Sequence, residues 1–238
     1  WGHNREWWRS NSGDRKWRWL VSDLDRGFLL EKLDVDYLPV LIENYDLFNR
    51  LLLNEKFRNR FIQRFAAHIN WTFHPDRMRN IVDSLANAVA SEIPRHIERW
   101  QNSNGIQSID SYNNELNALR QFAAQRGDYL FEYISVNFSL NELFTLNIES
   151  NDANAGSFYI NDVPLCMPVK SGAYFRDIPL TIKAVPKPGY AFAGWEEISN
   201  LAEIQLELTE DTTLKANFTQ SELSLVPADI WGDITLGL

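Results

Sequence analysis

The chain has 238 residues, 45% of them apolar and 23% charged, with a net charge of −9, the make-up of an ordinary globular protein. No run approaches the ~20 apolar residues that a membrane-spanning helix needs, so no membrane span is expected. The single cysteine, Cys166, excludes an intrachain disulfide framework and a cysteine-based zinc site, and leaves the redox compartment open.

The charge is unevenly spread. Residues 1–138 carry 18 Lys and Arg against 18 Asp and Glu, whereas residues 139–238 carry 5 against 14. A step this sharp predicts a boundary near 138–142: a first domain over 1–138, a second over 139–219, and a linker or trailing strand over 220–238. The acidic half has no basic surface for phosphate, so nucleic acid is not an expected partner.

From the N-terminus, Trp1-Gly2-His3-Asn4-Arg5-Glu6-Trp7-Trp8-Arg9 is rich in aromatic residues, and Lys16 to Val21 alternates as a half-buried strand does. Together they predict an aromatic-rich hairpin. The second strand runs into Ser22-Asp23-Leu24-Asp25-Arg26-Gly27-Phe28. Carboxylates at a strand end beside a turn suit a hard divalent cation such as Mg²⁺; the same residues also suit a turn that is merely capped and solvated. Asp23 and Asp25 are two apart and point the same way on a strand. They fit one metal better than the opposite faces of a sugar ring.

After residue 40 the period becomes helical. Phe57, Phe61, Phe65 and Ile69 recur every four residues with Arg58, Arg60 and Arg64 between them, an amphipathic helix with a basic outer face. Those arginines read as a solvated face, or as a surface for phosphate or an acidic protein. His68 on the same helix reads as a satisfied core-edge histidine. His74-Pro75-Asp76 marks a helix start. Ile81, Leu85, Val89 and Ile93 carry the spacing on to Pro94, which is expected to kink or end it. Residues 109–126 place Leu116, Leu119, Phe122 and Ala123 on one face, with Gly127 a candidate stop and a last short helix over Tyr129 to Phe138.

Beyond that, Phe144–Ile148, Leu180–Ala184, Ile204–Leu208 and Leu214–Phe218 alternate, with turn residues such as Asp152, Gly156, Asn161, Asp162 and Gly172 between them. This predicts a small antiparallel β domain, and so an α+β fold class. Tyr190, Phe192 and Trp195 read as its small core, with sugar stacking as the alternative.

The N-terminal pattern resembles the CotH kinase family, named for spore coat protein H. The resemblance rests on His3-Asn4, Trp8-Arg9, Ser22-Asp23-Leu24-Asp25-Arg26-Gly27-Phe28, the stretch Leu47–Phe61, and Ile93-Pro94-Arg95-His96-Ile97-Glu98-Arg99-Trp100. It covers residues 1–138. It implies a mostly helical, kinase-like C-lobe fragment in which Asn4 and Asp23 are metal ligands and Asp25 is a supporting carboxylate. The cofactors of the full-length parent would be ATP with Mg²⁺ or Mn²⁺, the metal bridging nucleotide phosphates, and its partner a protein substrate or surface protein. Ser22 stands where the family usually has an aromatic residue. The family's catalytic Asp lies a few residues before the Asn, and residues 1–3 are Trp, Gly and His. The nucleotide loop and phosphate-binding Lys would lie further upstream. The expectation is therefore a fragment without turnover alone and with weak metal binding at best. His96 and Arg99 are expected to support packing between helices.

In the acidic half, Pro188-Gly189-Tyr190-Ala191-Phe192-Ala193-Gly194-Trp195 and Thr212-Thr213-Leu214-Lys215-Ala216-Asn217-Phe218 resemble bacterial repeats of the internalin B type. That resemblance implies a secreted or cell-surface bacterial protein. A non-catalytic surface or adhesive binding module is the alternative to the kinase reading.

Overall fold

The computed structural model describes residues 5–22, 27–103, 105–140, 142–168 and 170–221. The fold is α+β, as expected. A hairpin of β1 (Arg5–Arg9) and β2 (Trp17–Val21) is followed by helices α1 (Leu38–Asn44), α2 (Asp46–Leu52), α3 (Glu55–Ala67), α4 (Pro75–Val89), α5 (Ile93–Trp100) and α6 (Ile109–Phe138). Strands β3 (Leu143–Ser150), β4 (Gly156–Ile160), β5 (Val163–Pro164), β6 (Ser171–Phe175), β7 (Leu180–Pro186), β8 (Tyr190–Trp195), β9 (Glu203–Leu206) and β10 (Thr212–Gln220) complete it. The backbone clusters into two compact units, Trp1–Val35 with Met78–Tyr129, and Asp36–Arg77 with Leu130–Leu238.

In the first unit, Phe122 and Ala123 of α6 are buried. Phe28 packs against Phe122 with ring centroids 5.2 Å apart. The Arg126 guanidinium donates to the carbonyls of Leu33 and Val35, and Arg120 joins α6 to Asp83 of α4 at 2.7 Å. Helix α4 starts at Pro75 with Asp76 in its first turn, as the sequence predicts. Its end differs from expectation. The helix stops at Val89, and Pro94 sits in the first turn of α5, where a missing N–H costs no hydrogen bond. The four-residue spacing therefore spans two helices. It marks no buried face either: Leu85 and Val89 are exposed, and of this run Ile93 is buried.

Helix α6 also departs from expectation, running through Gly127 without a break for 30 residues. Gly127 is not among the glycines at positive φ. It keeps helical geometry at a cost of about 1 kcal/mol relative to Ala, a cost the packing on either side offsets. The actual stop is Ser139 at φ 53°. There the Leu140 N–H bonds back to Ser135 O at 2.9 Å and the Ser139 N–H to Val136 O at 3.3 Å, which satisfies the last carbonyls of the helix.

In the second unit, two four-stranded sheets have the orders β6-β3-β10-β8 and β5-β4-β7-β9. The pairs are antiparallel except that β10 runs parallel to β3. Asn161 and Asp162, at φ 49° and 67°, make the two-residue turn between β4 and β5 that left-handed backbone requires. Gly156 and Gly172 act otherwise than as turn residues. Each lies in a strand against a side chain: a Cβ on Gly156 would stand 2.3 Å from Phe218 Cζ, and one on Gly172 3.0 Å from the Asn70 amide. Phe158, Phe192, Trp195 and Phe218 pack with centroids 5.4 to 6.0 Å apart, and Trp195 and Phe218 are buried. These aromatics are spent on the interior, as the core reading expects.

The phenylalanine helix belongs to the same core. Ile62, Ala66 and Ala67 of α3 and Trp71 of the π-helical turn His68–Thr72 share one cluster with Leu146, Tyr174, Phe175 and Ile178. Phe61 packs on Phe48, Phe65 and Phe138 at 5.1, 5.7 and 5.9 Å.

Candidate functional site

The hairpin next to the candidate ligands is built by alternating tryptophan and arginine. Register places Trp7 opposite Trp19, Trp8 opposite Arg18 and Arg9 opposite Trp17. The Arg9 guanidinium lies 5.0 Å from the Trp17 ring centre and that of Arg18 lies 5.2 Å from Trp8, so two cation–π pairs tie the strands together across the ribbon. Arg18 also grips Asp14 with two bonds, at 2.8 and 3.2 Å. That grip, with the Lys16 backbone N–H, holds the Asp14 carboxyl below its ordinary range. Gly13 at φ 73° makes the turn. Trp7, Trp8 and Trp17 are exposed.

Asn4, Asp23 and Asp25 lie outside the described residues. Their described neighbours are paired: Arg5, next to Asn4, stands opposite Val21, two residues before Asp23. As ligands, these three residues would offer one amide oxygen and two carboxylates, donor types that suit a hard cation such as Mg²⁺ or Mn²⁺. Among the described residues, no group of three or more His, Cys, Asp and Glu could hold a metal ion.

The other residues singled out in the sequence fall as follows. His68 is half-buried, and its Nδ1 shares a 2.9 Å hydrogen bond with Thr72 Oγ1. Burial first, and Arg64 second, push its pKa below the ordinary value. His96 and Arg99 are exposed and Arg99 stacks on Trp100 at 4.9 Å, so they do not fill a helix–helix interface. Arg60 and Arg64 face the β4–β5 turn. Arg60 reaches Asp162 at 2.6 Å, and Arg64 donates to Asn161 O at 2.6 Å and Asp162 at 3.3 Å. Their partner is an acidic turn of this same chain.

Sequence reasoning missed Gln63 and Asn70, which hydrogen-bond the backbone of β6. It also missed the surroundings of Cys166. The exposed Cys166 thiol donates to Trp71 O at 3.1 Å, and Lys170 donates to the carbonyls of Leu165 and Met167. Burial lowers the Lys170 pKa, opposed by Cys166.

A tryptophan–arginine hairpin, then helices, then a small β unit make up an α+β protein. The family model described as CotH kinase protein matches residues 1–130, and the chain belongs to that family. The divergent InlB B-repeat domain matches residues 168–222. Strands β3, β4 and β5 precede that match, yet complete both sheets. No curated protein and no solved structure matches the chain.

Proposed function

We propose that the chain is part of an atypical CotH-like protein kinase whose full-length form transfers phosphate from ATP to protein hydroxyls. The observation that carries this reading is the family match over residues 1–130, within which Asn4 and Asp23 stand at the two ends of the hairpin segment. Asn4 and Asp23 would hold Mg²⁺ or Mn²⁺, with Asp25 supporting. Bound there, the ion would neutralise charge on nucleotide phosphates. The contribution of this chain's own described residues is positional. The Arg9–Trp17 and Arg18–Trp8 pairs and the Asp14–Arg18 ion pair fix the register of the ribbon that lies between Asn4 and Asp23 in the sequence. For residues 1–238 by themselves the reading is metal binding that is weak at best.

The InlB-type repeat is compatible with the alternative reading, a non-catalytic cell-surface or adhesive binding module. Titration of the chain with Mn²⁺, followed by the spin-resonance signal of the free ion, tests the kinase reading. Wild type is expected to bind and Asp23→Ala to bind at least tenfold more weakly, with unchanged thermal stability. Equal Mn²⁺ affinity in the two proteins would refute the ligand assignment.

A further inference from the structure

We infer that α3 and the π-helical turn after it serve as the missing neighbour strand of the β unit, so that residues 55–72 and strands β3 to β10 fold and unfold as one cooperative body. The repeat is then a buttress of the helix, not a detachable spacer. This goes beyond phosphotransfer and does not depend on it.

Among the described residues, strand β6 is an edge of its sheet, with β3 on one side and no strand on the other. An edge strand leaves the N–H and C=O of alternate residues without a ladder partner. On β6 those residues are Ser171, Ala173 and Phe175, and the last two are each met by one amide side chain. Asn70 Nδ2 donates to Ala173 O at 2.7 Å, and Asn70 Oδ1 accepts from the Ala173 N–H at 3.1 Å. Gln63 Nε2 donates to Phe175 O and Ile178 O at 2.8 Å each, and Gln63 Oε1 accepts from the Phe175 N–H at 3.2 Å. Two side chains thus repeat the donor–acceptor pattern that a further strand would present.

The fit is prepared from both sides. Glycine stands at 172, where a Cβ would be 3.0 Å from the Asn70 amide. The backbone widens to a π-helical turn where Asn70 and Trp71 meet the sheet, a local departure that is rare in helices. Trp71 Nε1 donates to Tyr174 OH at 2.7 Å with both residues fully buried. Gln63 is itself fully buried. Taken from β6, it would be a buried amide without partners, which is costly; taken from α3, β6 would present a bare edge. Each half is incomplete without the other.

Native-state hydrogen exchange on the whole chain, in a series of low denaturant concentrations, tests this. The slow amides of α3 and those of β3, β7 and β10 are expected to converge on one unfolding free energy. In Gln63→Met, which keeps the volume and loses three hydrogen bonds, exchange is expected to accelerate in all four elements by one common factor of about thirtyfold. Asn70→Ala gives a milder version should Gln63→Met not fold. Exchange of α3 at its own lower free energy while the strands stay protected, or acceleration confined to α3 in either variant, would overturn the inference.

Discussion

Tyr174→Phe removes one oxygen from a fully buried hydrogen bond in the second unit. Tyr174 and Trp71 are both fully buried, and the hydroxyl accepts the indole N–H at 2.7 Å. The variant keeps the ring and its packing against the core, so the cavity left is small. What remains is an indole N–H with no water to replace its partner. Stranding a buried neutral donor costs about 1–3 kcal/mol, and in a protein of this size each kcal/mol lowers the melting temperature by about 2–4 °C. A loss of about 2 kcal/mol, or about 4–8 °C, is expected in a calorimetric or circular-dichroism melt. The pH dependence gives an independent check. Burial raises the Tyr174 pKa well above its ordinary value of 10, and the Trp71 and Asn70 bonds offset only part of that. The folded state therefore holds the phenolic proton more tightly than the unfolded chain. The associated stability is complete below pH 10 and is lost as pH climbs through the folded value. Tyr174→Phe is expected to flatten that alkaline decline. A variant as stable as wild type at neutral pH, with an unchanged alkaline limb, would refute the reasoning.

Gly156→Ala places a methyl 2.3 Å from Phe218 Cζ and 3.0 Å from Val185 O, and such overpacking costs about 1–3 kcal/mol. Urea unfolding is expected to show that loss, with part of it recovered in Gly156→Ala/Phe218→Leu; an unchanged midpoint would refute it. Asp162→Asn, which keeps a residue suited to left-handed backbone, removes the charge that pairs with Arg60 and Arg64, side chains that are 66% and 39% exposed. Its cost is expected to stay below about 1 kcal/mol and to shrink with added salt. A salt-independent loss of several kcal/mol would show that the turn is held differently.

Much of the fold was legible because it rests on short-range pattern. Alternation at 144–148, 180–184 and 214–218 lies within strands β3, β7 and β10, and His74-Pro75-Asp76 opens α4. What was not legible depends on long-range partners. Nothing near Gly127 in the sequence says that buried residues on both sides will carry the helix through it. Nothing near Arg60 says that its counter-charge is 102 residues away. The buried Gln63 shows the same limit, because its three partners lie more than a hundred residues further along the chain. The candidate ligands Asn4, Asp23 and Asp25 were read from residue type and order. Around them the structure supplies the register of the hairpin.

The parallel pairing of β3 with β10 has a consequence for how the protein is made. In the sheet order β6-β3-β10-β8, the last of these four strands to leave the ribosome is the one that joins the two halves. Until Thr212–Gln220 emerges, β8 has no ladder partner and β3 has a partner on one side only. Translation at about 5–20 residues per second thus imposes a wait on the whole unit, with α3 already synthesised and its seat on β6 still half-built. Nascent chains stalled before Thr212 are the species on which chaperones and proteases would act.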